Sequence, residues 1–372
     1  MRSIDLSEGI KLSKEERQRI DRRYDFILKL HGKNGRKALA IAEQPRIDNG
    51  YFGPESISWK VYENVMVAGM GALSGLFISV LEPGGAYGVG HHTTYYYDTI
   101  GRIRRSLHFF AGAVAGDTTA AEKVGIDLFR KHSHVTGEIP STDEQFQANH
   151  VETLKFTYVV GWPHLWRAYK AFGDPHATDD DEREFYREQV MVCQLMGMPA
   201  GELPNTPESV EEWVRNAERE LMAFTRPAQE LTDFMTKTPM TPLYPNAILG
   251  IGMKFAIWAA IPLLTPYVRQ ICGLDHYALR SKIGTITIRT VARALRNPII
   301  ERLFIPYFGP ETWGYMHNAI RHAESTGVEP MNRDPGLELQ YGKRGTMTCP
   351  IRHTSAAAMS ESAGFDATEV NA

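Results

Sequence analysis

The chain has 372 residues, of which 43% are hydrophobic and 23% charged, and this balance predicts a globular protein with a substantial core rather than a disordered chain. Its net charge of −3, with both signs interspersed, excludes the basic footprint of a nucleic-acid-binding protein. The cysteines Cys193, Cys272 and Cys349 lie far apart, which excludes a disulfide framework or cysteine-built zinc site and favours a reducing, cytoplasmic location.

The first elements are a helix, an irregular segment and a second, apolar helix. No signal peptide pattern opens the chain. Residues 13–16 form a capping box, and the amphipathic helix that follows is expected to end at Gly32. Gly, Pro and Asn residues then predict an irregular segment over 33–57, and an apolar helix is predicted over Val65–Leu81.

The central and C-terminal parts also have helical patterns. A helix is predicted over Tyr97–Ala115, and a capping box at residues 119–122 opens another that closes near Gly137. Further predicted helices span Val151–Phe172, Asp181–Met196, Pro207–Phe224, Ala247–Cys272, Leu279–Leu295 and Pro310–Ser325.

Strand signals are scarce, with one weak pattern at Gly284–Thr290, so the predicted class is all-α. The expected organisation is an N-terminal helix and irregular segment over 1–58, a helical domain over 59–331, and a mobile tail over 332–372 that is rich in Gly, Ser, Thr and Ala.

Two uncharged or nearly uncharged stretches, Val65–Leu81 and Ala247–Leu264, are short for a bilayer span of about 20 residues. They are interpreted as buried core helices. Peripheral contact of one of them with a membrane remains an alternative.

His132 is the first candidate functional residue. Val124, Leu128, His132 and Val135 recur at helical spacing, which predicts an inward-facing imidazole, whereas His134 faces the opposite side. A buried imidazole needs a partner for each ring nitrogen. A metal on one nitrogen would meet that need, and a hydrogen-bonded structural histidine is the alternative.

The preceding helix places Arg102, Arg105, Ser106 and Phe109 on one stripe. If this stripe faces inward, the two guanidinium groups need an anion, and the propionates of a haem would suit them. A solvated basic face is the alternative.

These motifs resemble those of the latex-clearing-protein and mpaB-type oxygenase family. The similarity runs over roughly residues 65–280, and its motifs have the order and spacing found in that family. They are Arg102-x-x-Arg105-Ser106, His132-x-x-Val135-x-Gly137, Phe146-x-Ala148-Asn149, Phe185-Tyr186-x-Glu188, Leu195-Met196-Gly197-Met198-Pro199, Leu203-Pro204-Asn205-Thr206, Leu263-Leu264-Thr265-Pro266 and Gly273-Leu274.

The resemblance implies a globin-like multi-helix arrangement around haem b, with dioxygen-dependent oxidation of an apolar small-molecule or lipid-like substrate. His132 matches the family's proximal haem ligand, Arg102 its arginine near the haem, and Ser106 the neighbouring hydroxyl. Neither the electron donor nor the oligomeric state follows from these residues.

The chain also departs from the family pattern. Arg105 stands where rubber-cleaving members have a lysine that occupies the distal iron position, and an arginine does not deprotonate to ligate. Thr157 stands where many relatives carry histidine. No clear acid lies upstream of Arg102 in place of the relatives' catalytic base, and Glu82 is the nearest one outside the helix.

His91, His92 and His108 are only weak candidates for distal roles, since a surface or packing role explains each of them better. The rival functions are a non-haem metal oxygenase that uses His132, His134 and a carboxylate, and a non-catalytic haem or lipid carrier at a membrane surface. Residues two apart on a helix point nearly opposite ways, which disfavours the non-haem site.

Overall fold

A computed structural model describes residues 14–92, 99–139, 144–239 and 247–322 of the protein. Over these ranges the fold is all-α, as predicted, with a single two-stranded antiparallel hairpin. The elements are α1 (Lys14–Leu30), α2 (Gly32–Ala42), α3 (Ile57–Glu63), α4 (Val65–Ser79), α5 (Pro83–His92), α6 (Thr99–Ala115), α7 (Thr118–His132), β1 (Thr136–Ile139), β2 (Glu144–Gln147), α8 (Val151–Ala168), α9 (Asp179–Leu195), α10 (Pro207–Glu220), α11 (Arg226–Lys237), α12 (Ala247–Ala260), α13 (Pro266–Ile271), α14 (Ala278–Ala294), α15 (Pro298–Phe308) and α16 (Pro310–His322).

Several predicted boundaries are wrong. The segment over 33–57 is not irregular throughout, because α2 occupies its first part. The helix that carries His132 ends at that residue, and the chain then enters β1 rather than continuing to Gly137. The weak strand signal at Gly284–Thr290 lies inside α14. The N-cap of α1 and the tail over 332–372 lie outside the described residues.

The core is centred on α4 and α8, which pack along their lengths. Gly71 makes this approach possible, because a Cβ at that position would lie 2.5 Å from Cδ1 and 2.9 Å from Cα of Leu165. Both α4 and α8 are largely buried, and aromatic side chains such as Phe77, Phe156 and Trp166 fill the surrounding space. Gly71 of the first apolar stretch therefore serves close helix packing.

The lengths of the apolar helices bear on the membrane alternative. No single described helix is long and apolar enough to cross a bilayer, whereas α3 and α4 reach that length and composition only as a pair with a 91° bend between them.

The N-terminal helices pack against the C-terminal ones through a buried charged cluster. The ring nitrogens of His317 lie 3.1 Å from Oδ2 of Asp21 and 3.1 Å from Oε1 of Glu301, and Nη2 of Arg302 donates to Oδ1 of Asp21 at 2.9 Å. Trp313 stacks on the His317 ring at 3.8 Å. Because both ring nitrogens meet carboxylates, the geometry favours a protonated imidazole.

Replacing Gly71 with Ala should destabilise the fold, whereas the same change at Gly69 should not. The methyl group at position 71 would overlap Leu165, and overpacking costs about 1–3 kcal/mol. A Cβ placed on Gly69 would have no neighbour within 4 Å, so the helix propensity of alanine should add about 0.5–1 kcal/mol there. Urea unfolding of both variants measures the difference, and equal effects of the two changes would contradict the packing argument.

The buried cluster should make stability depend on pH through His317. Burial lowers the pKa of His317, but Asp21 and Glu301 outweigh it, and the net effect raises that pKa above 6.5. Protonation of the ring then stabilises the folded state below about pH 6.5. This stabilisation is lost as pH rises through the pKa that His317 has in the folded state. The Tm deficit of His317→Gln should therefore be large near pH 6 and shrink in alkali. A deficit independent of pH would contradict this assignment.

Candidate functional site

Helices α6 and α7 form an antiparallel hairpin that is fixed firmly at its closed end. Gly116 and Asp117 make the turn, and Oδ1 of Asp117 accepts a hydrogen bond from the amide of Ala120 at 2.9 Å. The carboxylate of Asp48 accepts from both the amide and the hydroxyl of Thr118, at 2.8 and 2.6 Å. The start of α7 is thus tied both to its own first turn and to the N-terminal region.

Close contact between the two helices sets their register. A Cβ on Gly112 of α6 would lie 2.7 Å from Cγ1 of Val124 on α7. His132 lies eight residues beyond Val124, and in an antiparallel pair this places it level with the residue eight before Gly112, which is Arg104. Arg102, Arg105 and Ser106 of the predicted stripe occupy the same open end of the hairpin.

Burial separates the residues of that stripe. Phe109 is buried, Arg102 and Ser106 are half-buried, and Arg105 is exposed. The stripe therefore turns from the core towards solvent near its N-terminal end. Of the two arginines, Arg102 is the one that is partly withdrawn from solvent.

His132 lies at the edge of the core rather than within it. Along its face of α7, Val124 is buried and Leu128 is partly buried, but His132 itself is half-buried because the last turn of the helix extends beyond the main core. His134 is exposed, as its position two residues further on predicts. The amide of Val135 donates to the His132 carbonyl at 2.9 Å, which closes the end of α7.

Asn149 holds the end of α7 that carries His132. Its Nδ2 donates to the carbonyl of Phe129 at 2.9 Å, and the amide of Ala148 donates to the carbonyl of Val135 at 3.0 Å. The carbonyl of Phe129 also accepts from the amide of Ser133, so Asn149 adds a second bond that fixes the end of α7. The motif that ends at Asn149 thus has a physical role that its residue types alone did not reveal.

The hairpin of β1 and β2 packs on α5 through Phe146. A Cβ on Gly88 would overlap the ring of Phe146, so only glycine leaves room for that ring. Gly88 is therefore explained by packing.

Glu82, the nearest acid upstream of Arg102 outside the predicted helix over Tyr97–Ala115, is buried at the start of α5. Its two carboxylate oxygens accept from the amides of Gly84 and Gly85, at 3.0 and 2.5 Å. A carboxylate at a helix N-terminus compensates unpaired amides and the helix dipole, which gives Glu82 a structural role.

Of the three histidines considered for distal roles, the structure describes the side chain of His108 only. His91 and His92 end α5, and their side chains lie outside the described part. His108 is half-buried on α6, its ring centre is 5.7 Å from that of Tyr315 on α16, and burial lowers its pKa. Its Nδ1 is buried without a hydrogen-bond partner among the described residues. The contact with α16 directs His108 towards the C-terminal helices.

One buried histidine was not singled out from the sequence. His164 on α8 has Nδ1 2.7 Å from the carbonyl of Val160 and Nε2 3.4 Å from Nη1 of Arg167. Burial lowers the pKa of His164 to about 3, so the ring is neutral, donates to the carbonyl and accepts from the guanidinium. Both nitrogens are satisfied by protein groups, which gives His164 a structural role. Thr157, on the same helix, is half-buried.

The donor set at the open end of the hairpin fits haem better than a metal ion held only by protein. Over the ranges that the structure describes, no three His, Cys, Asp or Glu side chains are grouped as a metal site would need, and the exposed His134 does not complete one with His132. Haem iron needs a single histidine, which His132 offers, and a half-buried arginine suits a propionate.

Removing the Asn149 amide should loosen the end of α7. Asn149→Ala deletes the bond to the Phe129 carbonyl, and we expect a loss of about 1 kcal/mol together with faster amide exchange in the last turn of α7. Gln229→Ala, an amide deletion on the exposed face of α11, serves as the matched control. Hydrogen–deuterium exchange measures both, and unchanged exchange over α7 in Asn149→Ala would rule out this role.

Comparison with known protein families gives one match. The model of the family described as "ER-bound oxygenase mpaB/B'/Rubber oxygenase, catalytic domain" matches residues 59–297, more than half of the chain. No curated protein and no solved structure matches significantly. The matched region runs from α3 to the end of α14 and includes the whole α6–α7 hairpin.

Proposed function

The chain belongs to the mpaB/rubber oxygenase catalytic-domain family, and from this membership we propose that it is a haem b-dependent oxygenase acting with dioxygen on an apolar substrate. The observation that supports haem most directly is the register of the α6–α7 hairpin. It brings the half-buried His132 and Arg102 to the same end of the α6–α7 hairpin.

In this proposal His132 holds the haem through one neutral imidazole nitrogen, and Arg102 pairs with a propionate. Ser106, half-buried one turn along from Arg102, donates a hydrogen bond beside the group. Arg105, which is exposed, would pair with the other haem propionate at the solvent edge. Haem b, when bound, supplies the activation of dioxygen, which no side chain of the site can provide alone.

An apolar substrate is favoured by the aromatic side chains on the inner side of α6. Phe110 stacks with Tyr62 at 5.4 Å and meets Tyr158 edge-on at 6.1 Å. Burial raises the pKa of both tyrosines, so their hydroxyls stay protonated and neutral. This packing makes the core side of α6 apolar, which favours an apolar substrate over a charged one. Cleavage of a carbon–carbon double bond and hydroxylation are both compatible with such a substrate.

A reducing compartment such as the cytoplasm is part of the proposal. Cys193 and Cys272, the cysteines that the structure describes, are free and buried, and burial raises the pKa of Cys272 to about 12. Burial also raises the pKa of Cys193, so both thiols are protonated and poorly reactive. This arrangement is compatible with a protein that does not rely on disulfides.

Absorption spectroscopy of protein expressed with a haem supply tests the ligand assignment. His132→Ala should lose the Soret band of bound haem while keeping the helical circular dichroism spectrum, because the only assigned axial ligand is removed. His134→Ala, two residues away and exposed, should keep the band. A normal Soret band in His132→Ala would reject the assignment.

Dioxygen uptake separates the oxygenase from a non-catalytic haem or lipid carrier. With reductant and an apolar substrate, the wild-type protein should consume dioxygen in step with substrate loss, and His132→Ala should not. Haem binding without substrate-dependent uptake for any apolar substrate tried would favour the carrier instead.

A further inference from the structure

The outer face of α14 exposes an apolar stripe. Leu279 is 72% exposed, Ile286 is 66% exposed, and Ile283 between them is also exposed. Their spacing of four and three residues places them on one side of the helix, and Thr290 continues the line. Three large aliphatic side chains in a row on a surface helix indicate an interaction surface rather than scattered exposure.

Cations border this stripe, and α14 contains no Asp or Glu. Lys282 and Arg293 lie beside the stripe, are exposed, and make no ion pair with any described residue. Arg289 on the same side donates to the carbonyl of Ala171 at 3.0 Å, so no described carboxylate compensates its charge either. The carboxylate nearest in sequence, Asp275, pairs with Arg269 at 3.4 Å. The face is therefore apolar at its centre and positive along one edge.

The polar groups within the stripe are already satisfied by the helix. The hydroxyls of Thr287 and Thr290 donate to the carbonyls of Ile283 and Ile286, each at 2.9 Å. Such bonds lower the cost of removing these groups from water and leave the threonine methyl groups outward.

The opposite face of α14 is fixed against α12. A Cβ on Gly284 would lie 2.7 Å from the carbonyl oxygen of Phe255 and 2.9 Å from the amide nitrogen of Ala259. The two helices are therefore in backbone contact. The apolar stripe is thus presented by a rigid helix pair.

We propose that the outer face of α14 docks onto an anionic lipid surface, with Leu279, Ile283 and Ile286 inserted between headgroups and Lys282 and Arg293 paired with phosphates. An apolar centre with long cationic side chains at its edge is the arrangement of helices that lie in a membrane interface. A second copy of the chain fits less well, because α14 has no Asp or Glu that could pair with the cations of another α14. This inference does not depend on haem.

Flotation of the full-length protein with lipid vesicles tests the proposal. Binding is expected to vesicles of phosphatidylcholine with phosphatidylserine, to be weak with phosphatidylcholine alone, and to fall as salt rises. Leu279→Gln/Ile286→Gln should lower the partition coefficient roughly tenfold through lost apolar insertion. Lys282→Gln/Arg293→Gln should lower it by a similar factor, roughly tenfold, on the anionic vesicles only.

Two matched controls place the same changes elsewhere on the surface. Leu30→Gln changes an exposed leucine of α1, and Arg215→Gln/Arg219→Gln removes two exposed charges of α10. Both should bind like the wild type. All variants change exposed residues, and circular dichroism checks that they fold.

Three results would overturn the proposal. One is a wild-type protein that binds neither kind of vesicle. Another is equal weakening by the control variants. The third is dimerisation that depends on protein concentration and is abolished by Leu279→Gln/Ile286→Gln, while vesicle binding stays unchanged. That result would assign the face to a second copy of the chain.

Discussion

The candidate site depends on the contact between Gly112 and Val124, which brings the Val124 side chain of α7 directly against the backbone of α6. The absence of a side chain at Gly112 sets the distance between the helices, and the antiparallel direction then decides which residues share an end. Asp48 and Asp117 fix the closed end of this hairpin, and Asn149 fixes the open end. His132 is thus placed by a hairpin that is held at both ends.

The rest of the fold supports this hairpin from two sides. The α4–α8 core lies within the matched region, whereas α1, α2, α15 and α16 lie outside it. The outer helices nevertheless bury Asp21, His317 and Arg302 together, and α16 packs on α6. A buried network that loses one partner leaves an uncompensated charge, which makes this cluster a sensitive point. The helices outside the matched region therefore contribute directly to the stability of the site.

Sequence patterns predicted those helices whose signals are local. Thr206 caps α10 as its sequence indicates, with the side chain accepting from the amide of Ser209. Three-dimensional contacts explain the failures. Gly35 by its residue type favours irregular chain, but a Cβ there would overlap the carbonyl group of Leu28, so glycine is needed for α2 to pack on α1. The four-residue strands β1 and β2 are too short to show a period.

The sequence identified the candidate residues by type and chain position, but it did not reveal how deeply each of them is buried. Helical spacing placed His132 inward, yet spacing carries no information on where the core ends, and the last turn of α7 leaves the ring half-buried. The same applies to Arg105, which is exposed although it shares a stripe with Arg102. The role of Asn149 depends on a hydrogen bond across 20 residues of chain, which no local pattern contains.

Titration of the purified wild-type protein with haem tests the central claim most directly. The account predicts saturation at one haem per chain, with a Soret band whose electron paramagnetic resonance and magnetic circular dichroism signals indicate histidine ligation. A well-folded protein that stays colourless, or that takes up haem without saturation, would contradict it.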